Sequence, residues 1–184
     1  MRPSTSSGKM DGTLIQVSTS RGGVPKRPIG EGFLTPLGIA GDSHNHPQIH
    51  GGPTKAVLLI CSEVIEDLKA KGFPIFPGAL GENLTTSGID HRQLRTGQQF
   101  RIGQTIIELT TIRAPCGTLD IYGPALKSEV YDSEVKAGNS ASPRWAKGGF
   151  YARVIQTGPI RPGDRIMLVA MLANVESRTE DHAV

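Results

Sequence analysis

Glycine and proline interrupt this chain so often that its regular elements must be short. The 184 residues include 23 glycines and 13 prolines, while aromatic residues make up only 5%. Glycine permits backbone conformations that other residues avoid, and proline fixes φ and removes a hydrogen-bond donor. A chain that turns this often favours a β-rich fold over a helix bundle, and its length suits one domain with a real core.

Apolar and alternating stretches between the turns predict strands at residues 13–18, 37–42, 56–61, 99–102, 105–112, 150–156 and 165–169. A helix is expected from Glu63 to about Lys71, where Gly72 ends it, and a helical turn at 89–95. Residues 119–146 are weakly patterned, so part helix and part loop is expected there. Residues 158–164 are rich in glycine and proline and predict a tight turn.

Seven or eight short strands with few helices predict a mainly β fold, a closed or half-closed β-barrel. Closure is favoured because it removes exposed strand edges. The barrel domain is expected at residues 13–172. Residues 1–12, rich in Ser, Thr and Gly, predict a disordered leader, and residues 173–184 predict a flexible tail.

Charge and hydropathy point away from nucleic acid and membrane partners. The net charge of +3 is mild, and no basic run with interleaved aromatics is present. The apolar run at 166–173 is far too short to span a bilayer, and the N-terminus lacks the apolar core of a signal peptide. Two cysteines 55 positions apart are no disulfide framework, and free thiols fit a reducing compartment, so a cytoplasmic location is expected.

The two cysteines differ in local context. Cys61 ends an apolar run, which is typical of a small core hydrophobe. Cys116 follows Pro115, precedes Gly117 and lies three residues after Arg113, a cation that favours the thiolate. Local context leaves two interpretations of Cys116 open: a functional thiol, or a structural cysteine at the end of a strand.

A histidine-rich loop precedes the apolar strand at 56–61. His44, His46 and His50 have a spacing that suits zinc or iron, although for His44 and His46 a solvent-exposed loop with incidental histidines is the favoured interpretation. His50 is followed by Gly51 and Gly52, whose backbone can adopt positive φ and whose amides can cradle an anion. Lys55 follows as a candidate phosphate contact, or as an exposed lysine without that role.

A second glycine-rich loop, at residues 77–86, contains Glu82 and Asn83 between Gly81 and Leu84. Their polar groups are either buried and hydrogen-bonded or exposed to a ligand, and spacing alone does not decide. Asp164 is expected to be a turn residue. The sequence has no dinucleotide-binding fingerprint, no Walker A loop and no nucleophile elbow.

Seven motifs occur in an order and spacing that resemble one family, the molybdenum cofactor sulfurase C-terminal (MOSC) domain in its stand-alone bacterial form. The resemblance runs from about Thr13 to Val169. The motifs are Gly41-Asp42, His50-Gly-Gly-Pro-Thr-Lys-Ala-Val57, Pro77-Gly-x-x-Gly-Glu-Asn-Leu-Thr-Thr86, Ile102-Gly103, Arg113-Ala-Pro-Cys116, Phe150-Tyr-Ala-Arg-Val154 and Pro162-Gly-Asp164.

The resemblance implies a β-barrel with short helices, and a molybdenum cofactor in which the metal is held by a pterin. Cys116 matches the family cysteine proposed to ligate the molybdenum or, in other proposals, to carry sulfur. A thiolate is a soft ligand that suits such a metal. The anionic cofactor needs donors, and position makes the following residues candidates: Lys26, Arg27, His50, Gly51, Gly52, Lys55, Asn83, Arg113 and Arg153.

Related proteins reduce N-hydroxylated bases and amidoximes, so the resemblance implies an oxidoreductase that acts on a small N-hydroxylated substrate. Two cysteines are too few to hold an iron–sulfur cluster within these residues, so a separate electron-donor protein is expected. The alternative is a persulfide carrier, or a protein that binds and delivers the cofactor without redox turnover. A further alternative is an inactive barrel, or one that uses its histidines for zinc.

Overall fold

A computed structural model describes residues 10–43 and 51–171 of the chain. The three histidines at 44, 46 and 50 lie outside these residues, as do most of the expected leader and the expected tail. Eleven strands are present in the described residues: β1 (Asp11–Thr19), β2 (Arg27–Ile29), β3 (Gly32–Thr35), β4 (Gly38–Ile39), β5 (Val57–Cys61), β6 (Leu84–Ser87), β7 (Gln98–Ile102), β8 (Thr105–Ile112), β9 (Phe150–Gln156), β10 (Gly158–Ile160) and β11 (Arg165–Met171).

The helices are short. The α-helices are α1 (Ser62–Ala70), α2 (Leu126–Val130) and α3 (Ser133–Lys136), and 3₁₀ helices span Pro53–Lys55, His91–Gln93 and Gly117–Tyr122. The predicted helix at 63–71 and the helical turn at 89–95 are therefore confirmed. The weakly patterned segment at 119–146 is part helix and part loop, as expected. Among the described residues, no helix has the length and apolarity needed to cross a membrane.

Seven strands close into a barrel, in the order β1-β11-β7-β8-β9-β5-β6 and back to β1. β1 closes the ring because it pairs antiparallel with both β6 and β11. The last three residues of β1, Val17 to Thr19, also pair with β2. β5 and β6 pair in parallel, and the other neighbours in the ring are antiparallel. The predicted mainly β, closed barrel is confirmed.

The core lies inside the barrel and beneath α1. All five residues of β5 are buried, and the apolar face of α1, formed by Val64, Ile65 and Leu68, is buried as well. Burial of each such side chain stabilises the fold by about 1.5–3 kcal/mol. Cys61 is 1% exposed in this core, which confirms its predicted role as a small hydrophobe. Burial raises the pKa of its thiol to about 12.

Two strands lie where turns and loops were predicted. The segment at 158–164 begins with β10, which pairs with β3 in a small three-stranded sheet with β4. The turn itself occupies only the last four residues, where the Arg161 amide donates to Asp164 Oδ2 at 2.8 Å. β2 begins at Arg27, in a segment rich in glycine and proline for which no strand was predicted. Prolines in β2 and β10 hide the strand signal, because proline is normally depleted in strands.

Candidate functional site

Cys116 lies just beyond the end of β8, at the start of the 3₁₀ helix Gly117–Tyr122. The Arg113 amide continues the β8–β9 pairing by donating to the Gly149 carbonyl at 2.9 Å, and the chain then leaves the barrel. Cys116 is only partly buried, so part of the residue faces solvent at this end of the barrel. The predicted position of this cysteine, just past a strand, is confirmed.

The environment of the Cys116 thiol favours the thiolate. Its Sγ lies 2.8 Å from the Thr118 hydroxyl. Burial raises the pKa of the thiol, but the Thr118 hydroxyl and amide and the Arg113 charge outweigh that effect, so the net pKa lies below its usual value. A partly exposed thiol with a lowered pKa is the kind that ligates metal or attacks electrophiles.

Arg113 is a buried cation with unused donors. Its side chain is 4% exposed, and its Nε and Nη1 have no hydrogen-bond partner in the described part of the chain. A buried donor without a partner costs about 1–3 kcal/mol. Native proteins rarely tolerate such groups without a purpose, so these two N–H groups are the clearest sign of a binding site for an anion or another acceptor.

Two further buried polar atoms without a partner among the described residues belong to Glu82, whose charge interacts with that of Arg113, and to Tyr122, whose phenol is influenced by Glu82. Glu82 is fully buried, and its Oε1 accepts from the Gly78 amide at 2.6 Å and from the Thr85 hydroxyl at 3.4 Å. Its Oε2, like the hydroxyl of Tyr122, has no partner among residues 10–43 and 51–171. The charges of Arg113 and Glu82 influence each other, and Glu82 in turn raises the pKa of Tyr122.

Tyr151 connects the site to the glycine loop. It lies on β9, where burial raises the pKa of its phenol, Arg113 donates a hydrogen bond that lowers it, and the Cys116 charge raises it. Lys55 Nζ lies 5.3 Å from the centre of the Tyr151 ring, a cation–π contact. Lys55, Tyr151, Arg113 and Cys116 are thereby brought to one end of the barrel.

The glycine loop before Lys55 has the backbone conformation predicted from the sequence. Gly51 and Gly52 have φ of 96° and 83°, and a Cβ added at Gly52 would meet no heavy atom within 4 Å. Gly52 precedes the 3₁₀ turn Pro53–Lys55, and its carbonyl accepts the Lys55 amide at 3.1 Å. His50, which precedes this loop, lies outside the described residues.

Lys26 and Asn83 belong to a different, internally paired cluster. Lys26 Nζ donates to both oxygens of Asp42 at 2.6 Å, and the two side chains are 5% and 3% exposed. Asn83 Nδ2 donates to Asp42 Oδ2 at 2.7 Å and to the Ser18 carbonyl at 3.1 Å, while its Oδ1 accepts the Leu58 amide at 3.2 Å. Their proposed contacts with a cofactor remain predictions, but the protein itself supplies these groups with partners.

The remaining predicted donors, Arg27 and Arg153, are both exposed. Arg27 begins β2, close enough to Tyr122 for its charge to lower the pKa of that phenol. Arg153 lies on β9 and forms an ion pair with Glu108 on the neighbouring strand, with 2.9 Å between Nη2 and Oε1. Arg27 therefore lies near Tyr122, on the same side of the barrel as the site, whereas the guanidinium of Arg153 is paired with Glu108 on the neighbouring strand.

Sequence reasoning missed the roles of Glu82, Tyr122 and Tyr151 in this site. Tyr151 lies within a recognised motif, and Glu82 was singled out without a role, but Tyr122 had no signal in the weakly patterned segment. Within residues 10–43 and 51–171, no three His, Cys, Asp or Glu side chains are grouped to hold a metal ion. The zinc alternative based on His44 and His46 falls outside the described residues.

Several known proteins resemble this chain. It is 29% identical to the uncharacterized protein YflK of Bacillus subtilis over 152 residues, which is 80% of this chain and 63% of YflK. It is 34% identical to protein YiiM of Escherichia coli over 100 residues, 50% of this chain and 43% of YiiM. A protein of Gibberella moniliformis named "Reductase" is 28% identical over 74% of this chain and 23% of its own length. The chain thus spans less than two thirds of each of these relatives.

A solved structure shows the same fold. The crystal structure of YiiM from Geobacillus stearothermophilus superposes with a TM-score of 0.64 at 23% identity, over 86% of this chain and 75% of the other. The profile of the MOSC domain family matches residues 46–167, well over half of the chain and including the strands and loops that form the site. The chain therefore belongs to the MOSC domain family.

Proposed function

We propose that this protein binds a molybdenum cofactor and reduces small N-hydroxylated compounds. The observation that carries the proposal is the pairing of a thiol of lowered pKa, Cys116, with a buried guanidinium, Arg113, that has two unused N–H donors. The MOSC family is associated with binding of this cofactor, and one relative is named a reductase. Both facts support the same proposal.

The residues at the barrel end fit such a group. Cys116 offers a soft sulfur ligand, which suits a metal that is already bound by sulfur. Arg113 offers two unpartnered N–H donors, and Lys55 offers a second cation that approaches the site over the ring of Tyr151. Unpartnered acceptors and donors on Glu82 and Tyr122 suit a ligand that is both anionic and rich in hydrogen-bonding groups.

Each residue then has a role that follows from its position. Cys116 would ligate the molybdenum. Arg113 would donate hydrogen bonds from its two unpartnered N–H groups to acceptor atoms of the cofactor or substrate. Lys55 and the amides of Gly51 and Gly52 would hold a phosphate, as positive-φ glycine loops do in other anion sites. The metal, when bound, supplies a centre that accepts and passes on electrons during removal of the hydroxyl oxygen. A separate donor protein would supply those electrons.

A second function rests on the same thiol. A partly exposed cysteine of lowered pKa also suits transfer of persulfide sulfur. That role would need neither Lys55 nor the unpartnered groups around Arg113, so it leaves more of the site unexplained.

Metal and sulfur analysis of protein produced in a host that makes the cofactor distinguishes these functions. We expect about one molybdenum per chain, retained in Cys61→Ser and lost in Cys116→Ser. Metal-free protein with cyanide-labile sulfur on Cys116 would instead establish the carrier function. Zinc that survives Cys116→Ser but is lost in the double variant His44→Ala and His46→Ala would overturn both. Molybdenum-loaded protein is then assayed with a chemical reductant and an amidoxime.

A further inference from the structure

The sulfur of Cys116 has a side-chain neighbour to which the proposed function assigns no role, the hydroxyl of Thr118. Thr118 Oγ1 lies 2.8 Å from Cys116 Sγ, and in the described part of the chain this is the one hydrogen bond of the Thr118 side chain. Only Gly117 separates the two residues in the sequence. The contact is therefore created by the way the backbone turns at these three residues.

The backbone fixes the positions of both groups. Cys116 is extended, with φ of −111° and ψ of 175°, and it immediately precedes the 3₁₀ helix Gly117–Tyr122. Its carbonyl accepts the Leu119 amide at 3.2 Å, which closes the first turn of that helix. The side chain of Leu119 is fully buried and anchors this turn in the core. Thr118 thus lies between two anchored residues, and its hydroxyl is held beside the sulfur.

The side chain of Thr118 is suited to keep this contact although the residue is exposed. A β-branched residue has few favourable χ1 rotamers, so ordering its hydroxyl costs little conformational entropy. The hydroxyl can donate one hydrogen bond, whereas a sulfur that is ionised or bound to a metal has no hydrogen to donate. The hydroxyl is then the donor, and hydrogen bonds to an ionised acceptor are about twice as strong as those between neutral groups.

We propose that Thr118 is a positioning residue for the molybdenum ligand: its hydroxyl holds Cys116 Sγ in one orientation and donates a hydrogen bond to it. This inference rests on the proposed binding of a molybdenum cofactor. A thiolate has several lone pairs, so one hydrogen bond leaves donor capacity for a metal. The hydrogen bond withdraws electron density from the sulfur, and hydrogen bonds to sulfur ligands are a known means of tuning the reduction potential of a metal.

The role of Thr118 differs from that of Arg113, which acts on the same sulfur through its charge. A charge acts over several ångströms and in any direction, whereas a hydrogen bond requires contact and alignment. Removal of the Thr118 hydroxyl should therefore change both the acidity of the thiol and the intrinsic reactivity of the sulfur.

The first test uses cofactor-free protein and measures the rate at which iodoacetamide alkylates Cys116 as a function of pH, with mass spectrometry as the readout. Thr118→Val removes the hydroxyl and keeps the β-branched shape. Loss of a hydrogen bond to a charged group should lower the thiolate fraction at neutral pH about tenfold. The same loss should make the thiolate about threefold more nucleophilic, because nucleophilicity rises with about half the change in acidity.

These two effects oppose each other, so the pH profiles of wild type and Thr118→Val should cross. At pH 7 the variant should react about threefold more slowly, and its limiting rate at high pH, where the thiol is fully ionised, should be about threefold higher. A merely looser helix would expose the sulfur and raise the rate at every pH, so it would give no crossing. Thr118→Ser keeps the hydroxyl and should restore the wild-type profile.

Thr111→Val is the matched control. Thr111 is an exposed threonine on β8, and its hydroxyl donates to the Ile112 carbonyl at 3.4 Å. We expect its profile to equal that of wild type. The proposal is overturned by Thr118→Val profiles that do not cross the wild-type profile, or by a Thr118→Ser variant that behaves like Thr118→Val.

The second test uses molybdenum-loaded protein and measures the midpoint potential of the metal by redox titration with detection by electron paramagnetic resonance. Without the hydrogen bond the sulfur donates more electron density, so the potential of Thr118→Val should be more negative than that of wild type. Thr118→Ser and Thr111→Val should both have the wild-type potential. An unchanged potential in Thr118→Val would overturn the role of Thr118 toward the metal.

The outcomes separate this inference from the proposed function. Protein that binds molybdenum through Cys116, with an unchanged potential and no crossing profile in Thr118→Val, would overturn the role of Thr118 alone. Protein that binds no molybdenum would overturn the proposed function and the role of Thr118 toward the metal, even where the alkylation profiles cross.

Discussion

The molecule contains two buried pairs of a cation and an acid that are built in opposite ways. Lys26 and Asp42 are in direct contact at 2.6 Å, and Asn83 completes the cluster. Arg113 and Glu82 are equally buried and influence each other, yet each keeps polar atoms without a partner in the described residues. The first pair is closed and the second is open.

The difference separates structural polar groups from candidate functional ones. A closed pair recovers part of the cost of desolvation through its own contacts, and it ties distant segments together. An open pair leaves that cost uncompensated until a ligand arrives, which is a common feature of functional sites. Both pairs involve motifs of the MOSC family, so membership in a motif alone does not tell the two roles apart.

Breaking the closed pair should have the largest effect on stability. Lys26→Met leaves Asp42 as a buried charge without its cation, so we expect a loss of about 3–5 kcal/mol in the free energy of unfolding. Urea denaturation at pH 7 measures it. Lys147→Met is the control, because Lys147 pairs with the more exposed Asp67 at 2.6 Å, and its loss should cost about 1 kcal/mol or less. Equal losses in the two variants would contradict the comparison.

The open pair should make the free energy of unfolding depend on pH. Burial raises the pKa of Glu82 from 4.5 to about 7, so between these values the folded state binds a proton that the unfolded state has released. The protonated Glu82 therefore makes its full contribution to the free energy of unfolding below pH 4.5. This contribution, on the order of 3 kcal/mol, is lost as the pH rises to about 7.

Glu82→Gln should remove this pH dependence, because the amide does not titrate. Urea denaturation at pH 5, 6, 7 and 8 compares wild type with Glu82→Gln. Glu63→Gln is the control, because Glu63 also accepts a backbone amide, that of Gly88 at 2.7 Å, but at an exposed position. The variant should gain stability relative to wild type as the pH rises. A difference that stays constant across this range would show that Glu82 is not protonated in the folded protein.

Removal of Arg113, the cation of the open pair, should have the smallest effect on stability and a measurable effect on the reactivity of the Cys116 thiol. Arg113→Met deletes two donors that already lack partners and one hydrogen bond to Tyr151, so the relief of the first offsets the loss of the second and we expect a net change of about 1 kcal/mol or less. The Cys116 pKa should rise, since the Arg113 charge helps to lower it. Alkylation of Cys116 by iodoacetamide at pH 7, followed by mass spectrometry, should slow at least about twofold. Buried Cys61 is the internal control. Large destabilisation with unchanged alkylation would place Arg113 among the structural groups.

Much of the fold could be predicted because its signals are local. The continuous apolar run before Cys61, the alternation in β8 and the helix that ends near Gly72 are confirmed, as is the closed barrel. Positive φ at Gly51 and Gly52 is confirmed for the same reason, since glycine alone adopts it freely. β4 lies within the strand predicted at 37–42, but its partners β3 and β10 were missed because pairing between segments, and not local propensity, creates such short strands.

The sequence by itself determined the family, the barrel, the burial of Cys61 and the position of Cys116 past a strand. Only the tertiary structure decided which polar groups are paired. Lys26 and Asn83 meet Asp42 across 16 and 41 residues of chain, whereas the charges of Arg113 and Glu82 influence each other without a hydrogen bond between the two side chains. The physical reason is range: burial and turning follow from neighbouring residues, but a hydrogen bond forms only when distant segments bring two atoms to within about 3 Å.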